Sequence, residues 1–104
     1  MMLTNTSTIA GKKVTKTLGL VRGNTVRARH IGRDLLAGLK QIVGGEIKSY
    51  TDMITEAREQ ALQRMTAEAK KLNADAIVNV RFVTAEVMQG AAEVLAYGTA
   101  VKLK

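Results

Sequence analysis

Two residue periods divide the chain, one of 2 and one of 3.6. The run Val14-Thr15-Lys16-Thr17-Leu18-Gly19-Leu20-Val21 is rich in β-branched residues and sets Val14, Leu18 and Leu20 on one face with lysine between them, which predicts a strand. Arg22-Gly23-Asn24 follows with turn chemistry, because glycine and asparagine tolerate positive φ. Thr25-Val26-Arg27-Ala28-Arg29 then resumes an extended pattern that would place Arg27 and Arg29 on the same side. Between Arg33 and Val43 the apolar residues Leu35, Leu36, Leu39, Ile42 and Val43 recur at helical steps, predicting a short first helix that Gly44-Gly45 stops.

A second helix is written more fully. Ile54, Ala57, Ala61, Met65, Ala69 and Leu72 are spaced 3, 4, 4, 4 and 3, the α-helical period. Ser49 or Thr51 would cap its start, with Asp52 in the first turn, and Lys70, Lys71 and Asn73 suit its end. The alanines predict a helix lying close on a sheet, since small side chains let two elements approach.

That sheet is expected from the C-terminal third. Ala76 to Val83 alternates as a strand with Val78, Val80 and Phe82 on one face; Gln89-Gly90 offers a turn; Glu93 to Lys104 returns. In the return strand one face carries Leu95, Tyr97, Thr99, Val101 and Leu103, and the other carries Val94, Ala96, Gly98 and Ala100. Both faces are apolar. One would pack on the helices, while the side with Val94, Ala96, Gly98 and Ala100 would need a second covering, most economically a symmetry-related copy. The fold class read from the residues is therefore α+β, a sheet against two helices in one domain spanning residues 1–104.

Composition changes this picture only at its margins. A chain of 104 residues with no cysteine has no disulfide, thiolate ligand or cysteine nucleophile, which suits a reducing cytoplasm. No stretch reaches the roughly 20 apolar residues that span a bilayer, and the N-terminus lacks a signal-peptide pattern, so a soluble, cytoplasmic protein is expected. The net charge of +7 is uneven: residues 1–45 hold eight basic groups against Asp34 alone, and residues 46–104 hold eight of each sign. Within the basic half, Arg27, Arg29, His30 and Arg33 cluster around the start of the first predicted helix, where free N–H groups and the dipole favour an anion. These four are the candidate anion site. Nucleic acid is disfavoured, because stacking aromatics and a recognition-helix pattern are missing.

Four runs carry a family resemblance: Gly19-Leu20-Val21-Arg22-Gly23-Asn24-Thr25, Arg33 through Glu46, Leu72-Asn73-Ala74-Asp75-Ala76-Ile77-Val78, and Tyr97-Gly98-Thr99-Ala100-Val101. In this order they resemble the YbjQ family, small bacterial and archaeal proteins described as uncharacterised or heavy-metal-binding. The resemblance implies an α+β subunit with an antiparallel sheet and a ring-shaped homo-oligomer, pentameric in family members. It brings no catalytic residues.

Candidate chemistry is sparse. Soft metals need thiolates, thioethers or imidazoles, and the chain offers one imidazole, His30, so a metal site would have to be shared between subunits. Met53 and Met65 fall on or beside the helix stripe, where methionine fills cores, and Met88 falls in the turn. Glu46, Asp52, Glu86 and Glu93 are scattered without the alternate spacing of a calcium loop. Glu46 with Tyr50, or Ser7 or Ser49 as a nucleophile, lack an orienting partner, and Gly44-Gly45 follows a predicted helix rather than preceding one, unlike a phosphate loop. No enzyme activity, cofactor or metal ligand is assigned. The expected function is a ring-forming binding or scaffold module, with an anion or small molecule between subunits as its candidate ligand. The alternatives are a heavy-metal site shared between subunits and a non-specific anion or nucleic-acid binder.

Overall fold

The computed structural model describes residues 1–28, 42–43 and 46–104. Six strands and one helix occur among them: β1 (Met2–Leu3), β2 (Val14–Ala28), β3 (Ile42–Val43), β4 (Glu46–Ile47), α1 (Lys48–Lys71), β5 (Ala76–Met88) and β6 (Ala91–Leu103). The main sheet has the order β1-β5-β6-β2, and β3 pairs with β4 in a separate ribbon. This is an α+β fold with a mixed sheet, because β1 runs parallel to β5 while the other neighbours are antiparallel. The expectation of a purely antiparallel sheet missed the two N-terminal residues, which carry no alternation to announce them.

The described residues hold one helix rather than two. The predicted first helix lies outside them, apart from Ile42 and Val43, which are strand paired with Ile47 and Glu46. Nor does the chain turn at Arg22-Gly23-Asn24: β2 runs through it unbroken, with Gly23 opposite Ala96. Glycine is needed there for space rather than for φ. A Cβ on Gly23 would lie 2.3 Å from the Ala61 carbonyl oxygen, 2.4 Å from the Met65 nitrogen and 2.8 Å from the Arg64 Cβ. The backbone of α1 therefore rests almost directly on β2.

Small residues make that contact on both sides. Ala57, Ala61, Met65 and Ala69 of α1 are fully buried with Val21, Ile77, Val94, Ala96 and Ala100 in one cluster. The buried stripe begins at Met53 rather than Ile54, and Leu72 is exposed, so it advances four residues at a time. The helix starts at Lys48, which puts Ser49 and Thr51 inside it and leaves no acidic residue in its first turn. Its end follows the sequence expectation. Asn73 adopts φ 59°, its N–H donates to the Lys70 carbonyl, and the Ala74 N–H donates to the Ala69 carbonyl, the paired bonds of a Schellman motif. Lys102 Nζ donates to the Asn73 carbonyl at 2.8 Å, and Asp75 Oδ2 accepts the Leu103 N–H, so the Leu72–Asp75 connector is pinned to the end of β6.

The face of β6 carrying Val94, Ala96, Gly98 and Ala100 is thus the helix face, contrary to the expectation that it would need a partner. Its small side chains are what admit the helix. Two irregularities change which residues join it. The β2 register against β6 shifts between Thr17 and Gly19, where Gly19 has φ 131°, and the β5 register shifts between Val78 and Arg81, where Asn79 has φ 54°. Each extra residue reverses the alternation. Leu18 and Val21 therefore share the core while Leu20 is 67% exposed, and Val80 packs toward α1 although Val78 faces the other way. On that other side Ala76, Val78 and Val101 form a second small cluster with Ile9, Val14 and Leu103, roofed by the N-terminal segment.

Replacing Gly23 by alanine forces a methyl group into helix backbone rather than into a flexible side chain. We expect a loss at or above the upper end of the roughly 1 to 3 kcal/mol typical of overpacked cores, read as a lower urea midpoint at fixed protein concentration. Thr25→Val is the contrasting case. Its Oγ1 donates to the Ala57 carbonyl at 2.9 Å, yet that carbonyl belongs to an unbroken helix, so the variant should cost no more than about 1.5 kcal/mol.

Candidate functional site

The length of the sheet exceeds that of its helix. Fifteen strand residues rise roughly 50 Å and a 24-residue helix about 36 Å, and the molecule measures 53 Å along its longest axis. Because α1 lies mainly over β2 and β6 and meets β5 only near its start, at Ile77 and Val80, every residue from Arg81 to Gln89 is exposed. The N-terminal segment covers the β5 edge only as far as Val80: Thr4 N–H donates to the Ile77 carbonyl, Val80 N–H to the Thr4 carbonyl and Asn79 N–H to the Thr6 carbonyl. From Arg81 to Met88 that edge has no strand partner among the described residues. The outer edge of β2, at the opposite side of the sheet, is likewise unpaired among them.

Apolar side chains accompany the open edge. Phe82, Val83, Val87 and Met88 are 45%, 47%, 52% and 66% exposed. By register Val83 lies opposite Leu95 and Arg81 opposite Tyr97, on the face away from the helix, where Leu20 and Val26 of β2 are also exposed. Where the edge meets the N-terminal segment, Leu3, Thr4, Asn5, Leu62, Val80 and Phe82 border a groove of about 720 Å³. Arg81 Nη1 closes one wall by donating to the Asn5 carbonyl at 2.8 Å. No single residue announced this surface in the sequence. The alternation of β6 marked both of its faces as apolar, but the face expected to need a partner, with Val94, Ala96 and Ala100, is the one α1 covers.

Of the residues singled out for anion binding, Arg27 is half-buried near the end of β2, its Nη2 donating to Gln60 Oε1 at 2.9 Å. Arg29, His30 and Arg33 lie outside the described residues. Met53 and Met65 are core residues, as their spacing indicated, and Met88 lies exposed beside the Gln89-Gly90 turn, where Gly90 has φ 78°. Among the described residues no three of the His, Cys, Asp and Glu side chains approach closely enough to hold a metal ion, and no helix is long and apolar enough to cross a membrane.

A mixed four-stranded sheet with one long helix on one face defines a class of small α+β domain. A family model described as "Putative heavy-metal-binding" matches residues 1–104, and the chain belongs to that family, YbjQ. A UPF0145 protein of Archaeoglobus fulgidus is 61% identical over 104 residues, covering 100% of this chain and 96% of the relative. Another from Methanosarcina acetivorans is 57% identical over 103 residues, with 99% and 97% covered. The biochemical function of this family is unknown. In structure the chain is similar to a protein of unknown function from Pediococcus pentosaceus assigned to the DUF74 family, with a TM-score of 0.64 at 18% identity, covering 100% of this chain and 98% of the other. That likeness shows the fold alone.

The family's metal description does not fit the donors of one chain. With no cysteine, one histidine and two of five methionines sealed in the core, one chain supplies no thiolate and a single imidazole. The polar contact of Arg27 is structural. Arg27→Ala is expected to lower unfolding stability by about 1 kcal/mol, measured by urea titration, because it removes one partly screened charged hydrogen bond.

Proposed function

We propose that this protein is a ring-forming homo-oligomeric module with a binding or scaffold role, its copies joined through the open edge of β5. The observation that carries this reading is the Arg81–Met88 edge, eight strand residues without a strand partner among the described residues, with Phe82, Val83, Val87 and Met88 exposed along them. Long apolar edges are templates for further pairing, and proteins that remain monomeric blunt them with charge, proline or a covering element. Among the described residues no strand covers this edge, and its charged side chains are Arg81 and Glu86. The edges of β5 and β2 differ from each other, so pairing one with the other is heterologous, and heterologous contacts form a ring when their rotation closes. The radius of gyration, 16.9 Å, exceeds the about 13 Å of a compact domain of this length, in keeping with a subunit shaped to be covered by neighbours. A pentamer is the stoichiometry the family resemblance implies. The role is binding rather than catalysis, since the open surface is apolar and presents no nucleophile with an oriented base.

The family description favours a second reading, a metal site completed by copies of His30 brought together in the ring. Elemental analysis of untagged protein separates it from the first: metal above background in the wild type and lost in His30→Ala supports it, and background content in both removes it.

Assembly is tested by light scattering coupled to gel filtration. The wild type is expected at a multiple of the 11.2 kDa chain mass, and Val83→Glu with Val87→Glu should shift it to 11.2 kDa with the far-UV dichroism retained. A wild type that runs as 11.2 kDa at micromolar concentration overturns the proposal.

A further inference from the structure

A second cavity, of about 460 Å³, lies on the side of the sheet away from the helix, between the N-terminal loop and the strands it roofs. Its size is within the roughly 300 to 1,000 Å³ of small-molecule sites. Ile9, Val14, Val78 and Val101 form an apolar floor, members of the second buried cluster and therefore fixed in place. Lys12, Lys13, Ser7, Thr8, Thr17, Thr99 and Asn79 complete the lining, residues whose side chains can supply two ammonium groups, four hydroxyls and an amide. The lining contains no carboxylate.

These groups are not engaged elsewhere. The ion pairs among the described residues are Lys71 with Glu68 and Lys102 with Asp75, so neither pocket lysine has an acidic partner among them. None of the four hydroxyls, nor the Asn79 amide, makes a side-chain hydrogen bond within the described residues. The position of the loop is set independently of these side chains. Lys12 N–H donates to the Ile9 carbonyl, Gly11 takes φ 78° in that turn, and Lys13 exchanges backbone bonds of 3.2 and 2.9 Å with Lys104. The backbone positions of Lys12 and Lys13 are thus fixed beside an apolar floor, and their side chains are without a partner among the described residues.

We propose that this pocket binds a small organic phosphate ester, its phosphate held by Lys12 and Lys13 with the hydroxyl donors and its organic body on the Ile9, Val14, Val78 and Val101 floor. A phosphate dianion offers three terminal acceptor oxygens, which two ammonium groups and several hydroxyls can satisfy together. The apolar floor supplies what a free inorganic anion could not use. The site is separate from Arg27 and from the open edge of β5, and its proposal does not rest on assembly.

The test uses the full chain and three probes: phenyl phosphate, inorganic phosphate and benzyl alcohol. In calorimetry at low salt phenyl phosphate should bind saturably, with amide shifts in heteronuclear NMR confined to residues 7–17, 78–79 and 99–101. Lys12→Ala with Lys13→Ala should weaken it by about tenfold or more, as the loss of charge-assisted hydrogen bonds implies. Arg22→Ala, which removes an exposed cation from elsewhere on the surface, should leave it unchanged. Inorganic phosphate should bind several-fold more weakly, and benzyl alcohol weakly or not at all. Equal affinity for the two phosphates would reduce the pocket to a pair of surface charges and overturn the proposal. So would the absence of saturable binding at millimolar phenyl phosphate, or undiminished binding by the double lysine variant. Both variants alter exposed side chains, and unchanged dichroism separates a lost site from a lost fold.

Discussion

The near-contact of the α1 backbone with β2 at Gly23 governs the rest of the molecule. Where the helix backbone passes directly over Gly23 no side chain fits beneath it, and the small residues Ala57, Ala61 and Ala69 above and Ala96 and Ala100 below keep the two elements close, with Met65, Val21 and Val94 filling the space beside them. Proximity also lets side chains of one element reach backbone of the other. Thr25 Oγ1 donates to the Ala57 carbonyl, and Arg64 Nη1 donates to the Asn24 carbonyl at 2.6 Å. The helix is thereby committed to the β2–β6 side of the sheet, and β5 is exposed as a consequence rather than by any property of its own residues.

Two bulges then divide the sheet into regions with different duties. Both fall opposite the Gly98–Ala100 segment of β6, one at Gly19 and one at Asn79. By reversing the alternation they let one long strand pair serve two cores, one beneath α1 and one beneath the N-terminal segment. The roof of the second core is short, and its polar loop leaves the cationic cavity beside Lys12 and Lys13. An apolar edge at one end of the sheet and a basic pocket at the other are separated by the same irregularities.

The chemistry of the chain is restrained. Charged groups near the helix end, Lys71 with Glu68 and Lys102 with Asp75, are exposed or half-exposed pairs of small energetic weight, and the Leu72–Asp75 run serves to close the helix and return the chain to the sheet. A family-wide resemblance through such a run reports on fold. What distinguishes the molecule is surface that a single copy leaves uncovered, and the functions proposed for it are accordingly those of association and binding.

The sequence by itself determined the elements with strong local signals. The helical stripe of Ala57, Ala61, Met65 and Ala69, the left-handed Asn73, the Gln89-Gly90 turn and the alternating β6 were all legible, because each depends on neighbours a few residues away. Likewise the scarcity of metal donors followed from composition alone. Tertiary structure decided what local patterns leave ambiguous. Gly23 reads equally as a turn residue or as a gap for a helix, and only the partner overhead chooses between them. Both faces of β6 are apolar, and the close approach permitted by Ala96 and Ala100 assigned the helix to one of them. A bulge at Gly19 or Asn79 is visible only against the strand it opposes, so the reversals that exposed Leu20 and formed the pocket beside Lys12 belong to pairing across the sheet. Residues distant in sequence had to meet before either surface existed.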